Sequence, residues 1–116
     1  MVVMVLGLNQ QLEGEENQQE GISTADVSKG DRRNINLPGE QEALLRAVAA
    51  TGKPVVLVLL NGSALAVNWA DEHIPAILEA WYPGQAGGRA VAEALFGDTN
   101  PGGRLPITFY RSVEDL

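Results

Sequence analysis

Four glutamates lie close together in the first third of the chain, within the segment LEGEENQQEG. They are Glu13, Glu15, Glu16 and Glu20, and no basic residue precedes Lys29. Neighbouring carboxylates oppose one another's ionisation, so one member of such a cluster can keep its proton near neutral pH and act as a general acid. Clusters of this kind are more often solvated surface loops, and the residues alone leave both interpretations open.

Glu13 and Glu15 do not form a complete hydrolytic pair. In an extended segment their side chains project to the same side. Cleavage of a glycosidic bond needs two carboxyls on opposite sides of the sugar, about 5–5.5 Å apart for retention and roughly 6.5–9.5 Å apart for inversion. Two residues of one short segment cannot flank a sugar in this way, so we reject a self-contained hydrolytic pair in this segment.

Other common catalytic and binding patterns are missing from the sequence. His73 is the only histidine and there is no cysteine, which argues against a zinc site and against a triad that uses another histidine. Asp26 and Asp31 do not have the spacing of a calcium loop. The glycine-rich stretch PGQAGGRAVAEALFG matches neither the dinucleotide-binding pattern nor the P-loop, so we interpret its glycines as close helix–strand packing. We therefore expect no metal site and no cofactor.

Length and composition indicate one globular domain. The chain has 116 residues, of which 45% are apolar and 20% charged, an ordinary balance for a single core. Its net charge of −7 argues against a nucleic-acid partner or an anionic membrane surface. The first residues, MVVMVLGL, lack the basic start and the cleavage site of a secretory signal, and we interpret them as a strand. The cellular compartment is left open.

The hydrophobic pattern predicts an α/β fold, a three-layer sandwich with a mainly parallel sheet flanked by helices, as one domain over residues 1–116. The predicted elements are strands over Met1–Leu6, Pro54–Leu60, Ile74–Tyr82 and Leu105–Tyr110, with helices over Glu40–Ala50 and Gln85–Phe96. In such sheets functional groups collect just past the carboxyl ends of the strands. The glutamate-rich segment follows the first strand, and Trp81 and Tyr82 stand at the end of the third, where an aromatic ring either lines a cleft or packs in the core.

Several motifs follow one another in a characteristic order along nearly the whole chain. A buried strand runs into GL, followed by LEGEE, GDR, NINLPGEQEALL, KPVVLVLLNGSALAV, AWYPGQAGG and LFGDTNPGGRLPITF. This order resembles the carboxyl-side α/β sandwich domain of glycoside hydrolase family 3, which includes β-glucosidases and β-xylosidases.

The resemblance implies a two-domain, retaining, exo-acting β-glycosidase that hydrolyses terminal β-linked sugars. A (β/α)8 barrel supplies an aspartate nucleophile in that family, and the sandwich domain supplies a glutamate general acid/base in a pattern like E-(G/A)-E-G-x-D-R. Matched to this chain, the pattern gives Glu15 as the first candidate and Glu13 as the second. Asp31 and Arg32 are displaced downstream by the insertion NQQEGISTADVSKG, and we interpret them as partners that orient the loop.

The sequence contains no barrel and no nucleophile from one. We therefore expect the chain to be a piece of a longer enzyme that carries half of a catalytic site and is inactive alone. We also expect self-association through the face that the barrel covers. The alternative is a non-catalytic structural or interaction domain with the same fold. A flavodoxin-like nucleotide binder is disfavoured because an acidic first loop repels phosphate.

Overall fold

A parallel three-stranded sheet organises the chain. The computed structural model describes residues 1–13, 27–28 and 31–116. The elements in chain order are β1 (Val2–Gly7), α1 (Gln10–Glu13), β2 (Val27–Ser28), β3 (Asp31–Arg32), α2 (Gln41–Ala49), β4 (Val55–Leu60), α3 (Asn68–His73), β5 (Ala76–Glu79) and α4 (Gly87–Phe96), with a 3₁₀ turn over Val113–Asp115. The predicted α/β class, with a parallel sheet and helices, is confirmed.

The sheet has the strand order β1-β4-β5, with both pairs parallel. Gly7 lies opposite Leu60, and Leu59 lies opposite Glu79, so the carboxyl ends of the three strands lie side by side along one edge of the sheet. The segments that follow these strands are thereby brought side by side, although they are far apart in sequence. The short strands β2 and β3 form a separate antiparallel pair.

The core is built around β4, which is the central strand. Its sequence VVLVLL is apolar throughout, as is typical of a strand with a neighbour on each side, and four of its six residues are buried. Leu45 of α2 is fully buried beside it. The buried core cluster comprises Met4, Leu8, Leu37, Leu45, Val55, Leu57, Leu59, Leu65, Ala70 and Ile74.

The end of β1 is fixed by contacts that only a glycine permits. Gly7 has φ of 134°, and a Cβ at this position would collide with the carbonyl oxygen of Leu60. Its N–H donates to Oε1 of Gln41 at 2.8 Å, and its carbonyl accepts from Nε2 of Gln41 at 2.9 Å. The Gln41 amide therefore bonds the main chain as a neighbouring strand does, and it fastens α2 to the point where the chain leaves the sheet.

The predicted last strand over Leu105–Tyr110 is wrong. The structure has no strand there, and Leu105 and Ile107 are about half exposed. Pro106 lies inside the predicted strand and has no N–H to donate to a ladder, which explains why the apolar pattern does not lead to pairing. The helix α3 was not predicted, because six residues are too few to reveal a helical period.

Candidate functional site

Glu13 lies where the three loops beyond the strand ends meet. It is the last residue of α1, and its carboxylate reaches the loop after β4 and the loop after β5. Oε1 accepts hydrogen bonds from the Gly62 N–H at 2.7 Å and from the Tyr82 hydroxyl at 2.9 Å. Oε2 accepts from the Ser63 hydroxyl at 2.7 Å. One side chain thus ties three separate segments together.

The direction of Glu13 is set by the short helix that carries it. Asn9 precedes α1, and its Oδ1 accepts a hydrogen bond from the Leu12 N–H at 2.9 Å, which is a typical cap for the start of a helix. The Asn9 carbonyl accepts from the Glu13 N–H at 2.9 Å. A single helical turn directly after β1 therefore points Glu13 across the sheet edge.

The environment of Glu13 favours its ionised form. Partial burial by itself opposes ionisation, but the hydrogen bonds from Ser63, Gly62 and Tyr82 and the positive charge of Arg32 outweigh it, so the pKa of this carboxyl lies below its usual value. Arg32 lies close by: its guanidinium donates to the Ser63 hydroxyl at 3.4 Å. At neutral pH Glu13 is a negatively charged acceptor.

The Tyr82 ring lies against Gly62, and its hydroxyl reaches Glu13. A Cβ on Gly62 would lie 2.8 Å from Cε2 of Tyr82 and 3.4 Å from Oε1 of Glu13, and the first distance is too short for any real side chain. Burial, the hydrogen bond to Glu13 and the negative charge of that carboxylate all raise the pKa of the Tyr82 phenol. Tyr82 therefore stays protonated and acts as a hydrogen-bond donor.

Glu79, the last residue of β5, holds the two loops that contact Glu13. Its Oε1 accepts from the Trp81 N–H at 3.0 Å, and its Oε2 accepts from Nδ2 of Asn61 at 3.3 Å. Burial raises the pKa of Glu79, and these two hydrogen bonds oppose the rise. Nδ2 of Asn61 also donates to the Ser63 carbonyl at 2.9 Å. We call the whole set the Glu13 network: Glu13, Asn61, Gly62, Ser63, Glu79, Trp81 and Tyr82.

Two open cavities lie beside the network, each between the sheet edge and the carboxyl-terminal segment. One of about 510 Å³ is lined by Glu13, Arg32, Ser63, Ile107 and Tyr110 among others. The other, of about 640 Å³, is lined by residues that include Asp71, Glu79, Trp81, Arg104 and Phe109. Trp81 and Phe109 meet edge to face, with ring centroids 5.8 Å apart. The segment predicted as a strand therefore helps to form the walls of both cavities.

The predicted site residues have different outcomes. Glu13 lies in the network, and Arg32 lies beside it. Glu15, the first candidate for the acid/base, falls within residues 14–26, outside the described part of the chain, and its role stays a prediction. The same holds for Glu16 and Glu20. For Asp31 the structure gives the backbone position in β3.

Sequence reasoning missed four members of the network, Asn61, Gly62, Ser63 and Glu79. A signal was present in each case, because NGS directly follows β4 and Glu79 ends β5, the positions where functional groups collect in parallel sheets.

Over residues 1–13, 27–28 and 31–116, no group of three or more His, Asp or Glu side chains is placed to hold a metal ion. No helix in those ranges has the length and apolar character needed to cross a membrane.

A family model and curated proteins match the chain. The model of the glycosyl hydrolase family 3 C-terminal domain matches residues 1–116. A xylan 1,4-beta-xylosidase of Xylanibacter ruminicola is 45% identical over 115 residues, which is 99% of this chain and 13% of that protein. A periplasmic beta-glucosidase of Salmonella typhimurium is 55% identical over 85 residues, 73% of this chain and 11% of that protein.

Solved structures of β-glucosidases contain a similar fold. One from Erythrobacter marinus has a TM-score of 0.84 at 43% identity, and the match covers 98% of this chain and 14% of that one. One from Kluyveromyces marxianus in complex with glucose has a TM-score of 0.79 at 30% identity, over 97% of this chain and 12% of that one. The chain thus spans a small part of the proteins that it matches.

Proposed function

The chain belongs to the C-terminal domain family of glycosyl hydrolase family 3, as the motif order predicted, and we propose that it forms part of a retaining β-glycosidase acting on terminal β-linked sugars. The relatives named above are a xylosidase and glucosidases, which supports a β-xyloside or β-glucoside as the substrate. The chain contributes the loop with the general acid/base, and a (β/α)8 barrel outside this chain contributes the nucleophile and most of the sugar pocket.

Glu15 is the acid/base in this proposal, and Glu13 is the anchor of its loop. The observation that carries this division is the set of three hydrogen bonds that Glu13 accepts. Its pKa is held below the usual value, so at neutral pH Glu13 lacks the proton that a general acid must supply. Glu15, two residues further along the sequence, is the candidate that keeps the acid/base role.

The two steps of the reaction assign both roles of Glu15. As the acid it protonates the leaving-group oxygen while the nucleophile of the barrel bonds to the sugar carbon. As the base it then takes a proton from water, which attacks the glycosyl-enzyme and releases the sugar with its configuration retained. After the second step Glu15 is again protonated and the nucleophile is again a carboxylate.

In this proposal Arg32 and Asp31 of β3, which follow the glutamate-rich segment in the sequence, help to orient it. The charge of Arg32 lowers the pKa of Glu13, and its guanidinium donates to the Ser63 hydroxyl and, at 2.8 Å, to the Asn36 carbonyl. In this proposal Glu13 and Arg32, which flank residues 14–30 in the sequence, hold the chain on either side of Glu15.

The chain alone is inactive in this proposal. A positioned general acid contributes roughly 10²–10⁴-fold to the reaction rate, and this contribution requires a bound sugar and a nucleophile.

The chain alone also associates with itself in this proposal, because Val3 and Val5 on the outer strand β1 are 42% and 54% exposed.

Complementation with a barrel domain tests the proposal. The chain is mixed with the barrel domain of a β-xylosidase relative, and hydrolysis of aryl β-xylosides and β-glucosides is measured. We expect activity that Glu15→Gln lowers by about 10²–10⁴-fold, with azide restoring turnover of an activated substrate. Glu16→Gln, the adjacent control, leaves activity near that of the parent. Equal activity of the parent and Glu15→Gln would indicate the non-catalytic alternative.

A further inference from the structure

The Glu13 network contains a second carboxylate, that of Glu79, which accepts hydrogen bonds from the same two loops that bond Glu13. Each loop that donates to Glu13 is itself bonded to Glu79. On one side, Ser63 donates to Glu13, and its carbonyl accepts from Asn61, which also donates to Glu79. On the other side, the N–H of Trp81 donates to Glu79, and the next residue, Tyr82, donates to Glu13.

The Tyr82 side of this arrangement depends on an uncommon backbone conformation. Trp81 has φ of 54°, in the left-handed region, which costs a bulky residue roughly 1–3 kcal/mol. The Glu79 carboxylate accepts the N–H of this same residue, and the indole packs edge to face on Phe109. These two contacts hold Trp81 in the conformation that places the Tyr82 ring over Gly62.

The position of Ser63 depends on the buried side-chain amide of Asn61, which makes few hydrogen bonds. Asn61 is fully buried, and its Oδ1 has no hydrogen-bond partner among the described residues. Its side chain is therefore held through Nδ2 alone, by the Ser63 carbonyl and by Glu79. A buried acceptor without a partner costs about 1–3 kcal/mol, so the bonds through Nδ2 must offset this cost.

We propose that Glu79 is a positioning residue for the anchor of the acid/base loop, because it sets through Trp81 and Asn61 where Tyr82 and Ser63 present their hydrogen bonds to Glu13. The inference rests on the proposed function in one respect, namely that Glu13 anchors the loop of the acid/base. Glu79 acts through these donors and has no part in the proton transfers.

Two substitutions of Glu79 test this role in the 116-residue chain. Glu79→Gln keeps the shape but leaves one acceptor oxygen, so its amide NH₂ faces either Nδ2 of Asn61 or the N–H of Trp81. Glu79→Asp keeps the charge but withdraws the carboxylate from the Trp81 N–H by one methylene. Both weaken the donors to Glu13, so we expect both to raise the pKa of Glu13, followed by carbon-13 NMR of its labelled carboxyl. Glu72→Gln on the exposed side of α3 is the control and leaves that pKa unchanged.

The sign of the shift separates positioning from direct charge repulsion. Removal of a nearby negative charge by Glu79→Gln would by itself favour ionisation and lower the pKa of Glu13. A fall or no change in variants whose circular dichroism matches the parent would overturn the proposal. Should Glu79→Gln fail to fold, Glu79→Asp decides. In a Tyr82→Phe background we expect a smaller shift, because one of the two routes is already lost.

Complementation distinguishes this inference from the proposed function. With a barrel domain, Glu79→Asp is expected to lower kcat on the order of ten-fold, since a misplaced acid still reacts, though slowly. A shifted pKa of Glu13 together with an inactive parent complex would support the positioning and reject the glycosidase role. An active parent complex, with pKa and kcat of the Glu79 variants at parent values, would do the reverse.

Discussion

The Glu13 network and the outer edge of β1 differ in whether their groups have partners within the structure. In the network, hydroxyl, amide and backbone N–H donors from two segments of the chain, residues 61–63 and 81–82, surround two carboxylates. On β1, Val3 and Val5 are largely exposed, and no other strand in the described ranges pairs with this edge. Within the described part of the chain, both carboxylates of the network have hydrogen-bond partners, whereas the outer edge of β1 has no strand partner.

This difference indicates which properties belong to the chain alone. The hydrogen bonds described for Glu13 lie within the chain, so we expect this geometry to be present without a second domain. Exposed apolar strands of this kind normally pair or pack, so we expect the outer edge of β1 to be covered when a partner surface is available. Each of the following changes affects one region, both regions or neither.

Leu57→Ala affects both regions and is expected to have the largest effect. Leu57 lies on the central strand with 0% exposure, and β4 both pairs with β1 and leads into Gly62. Truncation leaves a cavity and costs about 3 kcal/mol of unfolding free energy, measured by urea denaturation. Leu44→Ala on α2, where the side chain is 53% exposed, is the control and changes stability by less than about 1 kcal/mol. Similar losses for the two variants would contradict this account of the core.

Gly62→Ala breaks the network and leaves the β1 edge intact. The new Cβ displaces the Tyr82 ring and weakens its hydrogen bond to Glu13, which we expect to cost about 2 kcal/mol. Gly84→Ala is the matched control, since a Cβ there meets no atom within 4 Å. Amide exchange should quicken in the loops after β4 and β5 but not in β1. Equal stability of the two alanine variants would show that Tyr82 does not need the close approach.

The contribution of ionised Glu13 to stability should depend on pH in one direction. Its folded-state pKa lies below the ordinary value of 4.5, so ionised Glu13 stabilises the fold. This contribution is complete above the unfolded pKa and disappears as the pH falls through the folded pKa. The difference in unfolding free energy between the parent and Glu13→Gln is therefore expected to be constant from neutral pH to about 5 and to shrink below 4.5. A difference that grows on acidification would be inconsistent with the network.

Val5→Lys tests the apolar region and should have the smallest effect on stability, within about 0.5 kcal/mol. A lysine on an edge strand opposes strand-to-strand pairing, so self-association measured by sedimentation should weaken. Ala47→Lys on the exposed side of α2 introduces the same charge elsewhere and should leave association unchanged. A parent chain that sediments as a monomer at every concentration would rule out association through β1.

The three strands of the parallel sheet and the helices α2 and α4 could be predicted from sequence because each depends on a local pattern. The run VVLVLL in β4 is typical of a buried parallel strand, and a glutamate cluster after β1 pointed to Glu13. Glu79 was not recognised because its importance comes from pairing with Asn61, 18 residues away, and Glu13 bonds Ser63 across 50 residues. Contacts at such separations come from the order of strands in the sheet, which a local pattern does not contain.

The division of roles between Glu13 and Glu15 is tested most directly by complementation with a barrel domain at saturating aryl β-xyloside. Glu15→Gln is expected to lower kcat by at least about 10²-fold and to be rescued by azide, whereas Glu13→Gln lowers it less and shows no azide rescue. Azide rescue of Glu13→Gln, with Glu15→Gln fully active, would show instead that Glu13 is the group that transfers the proton.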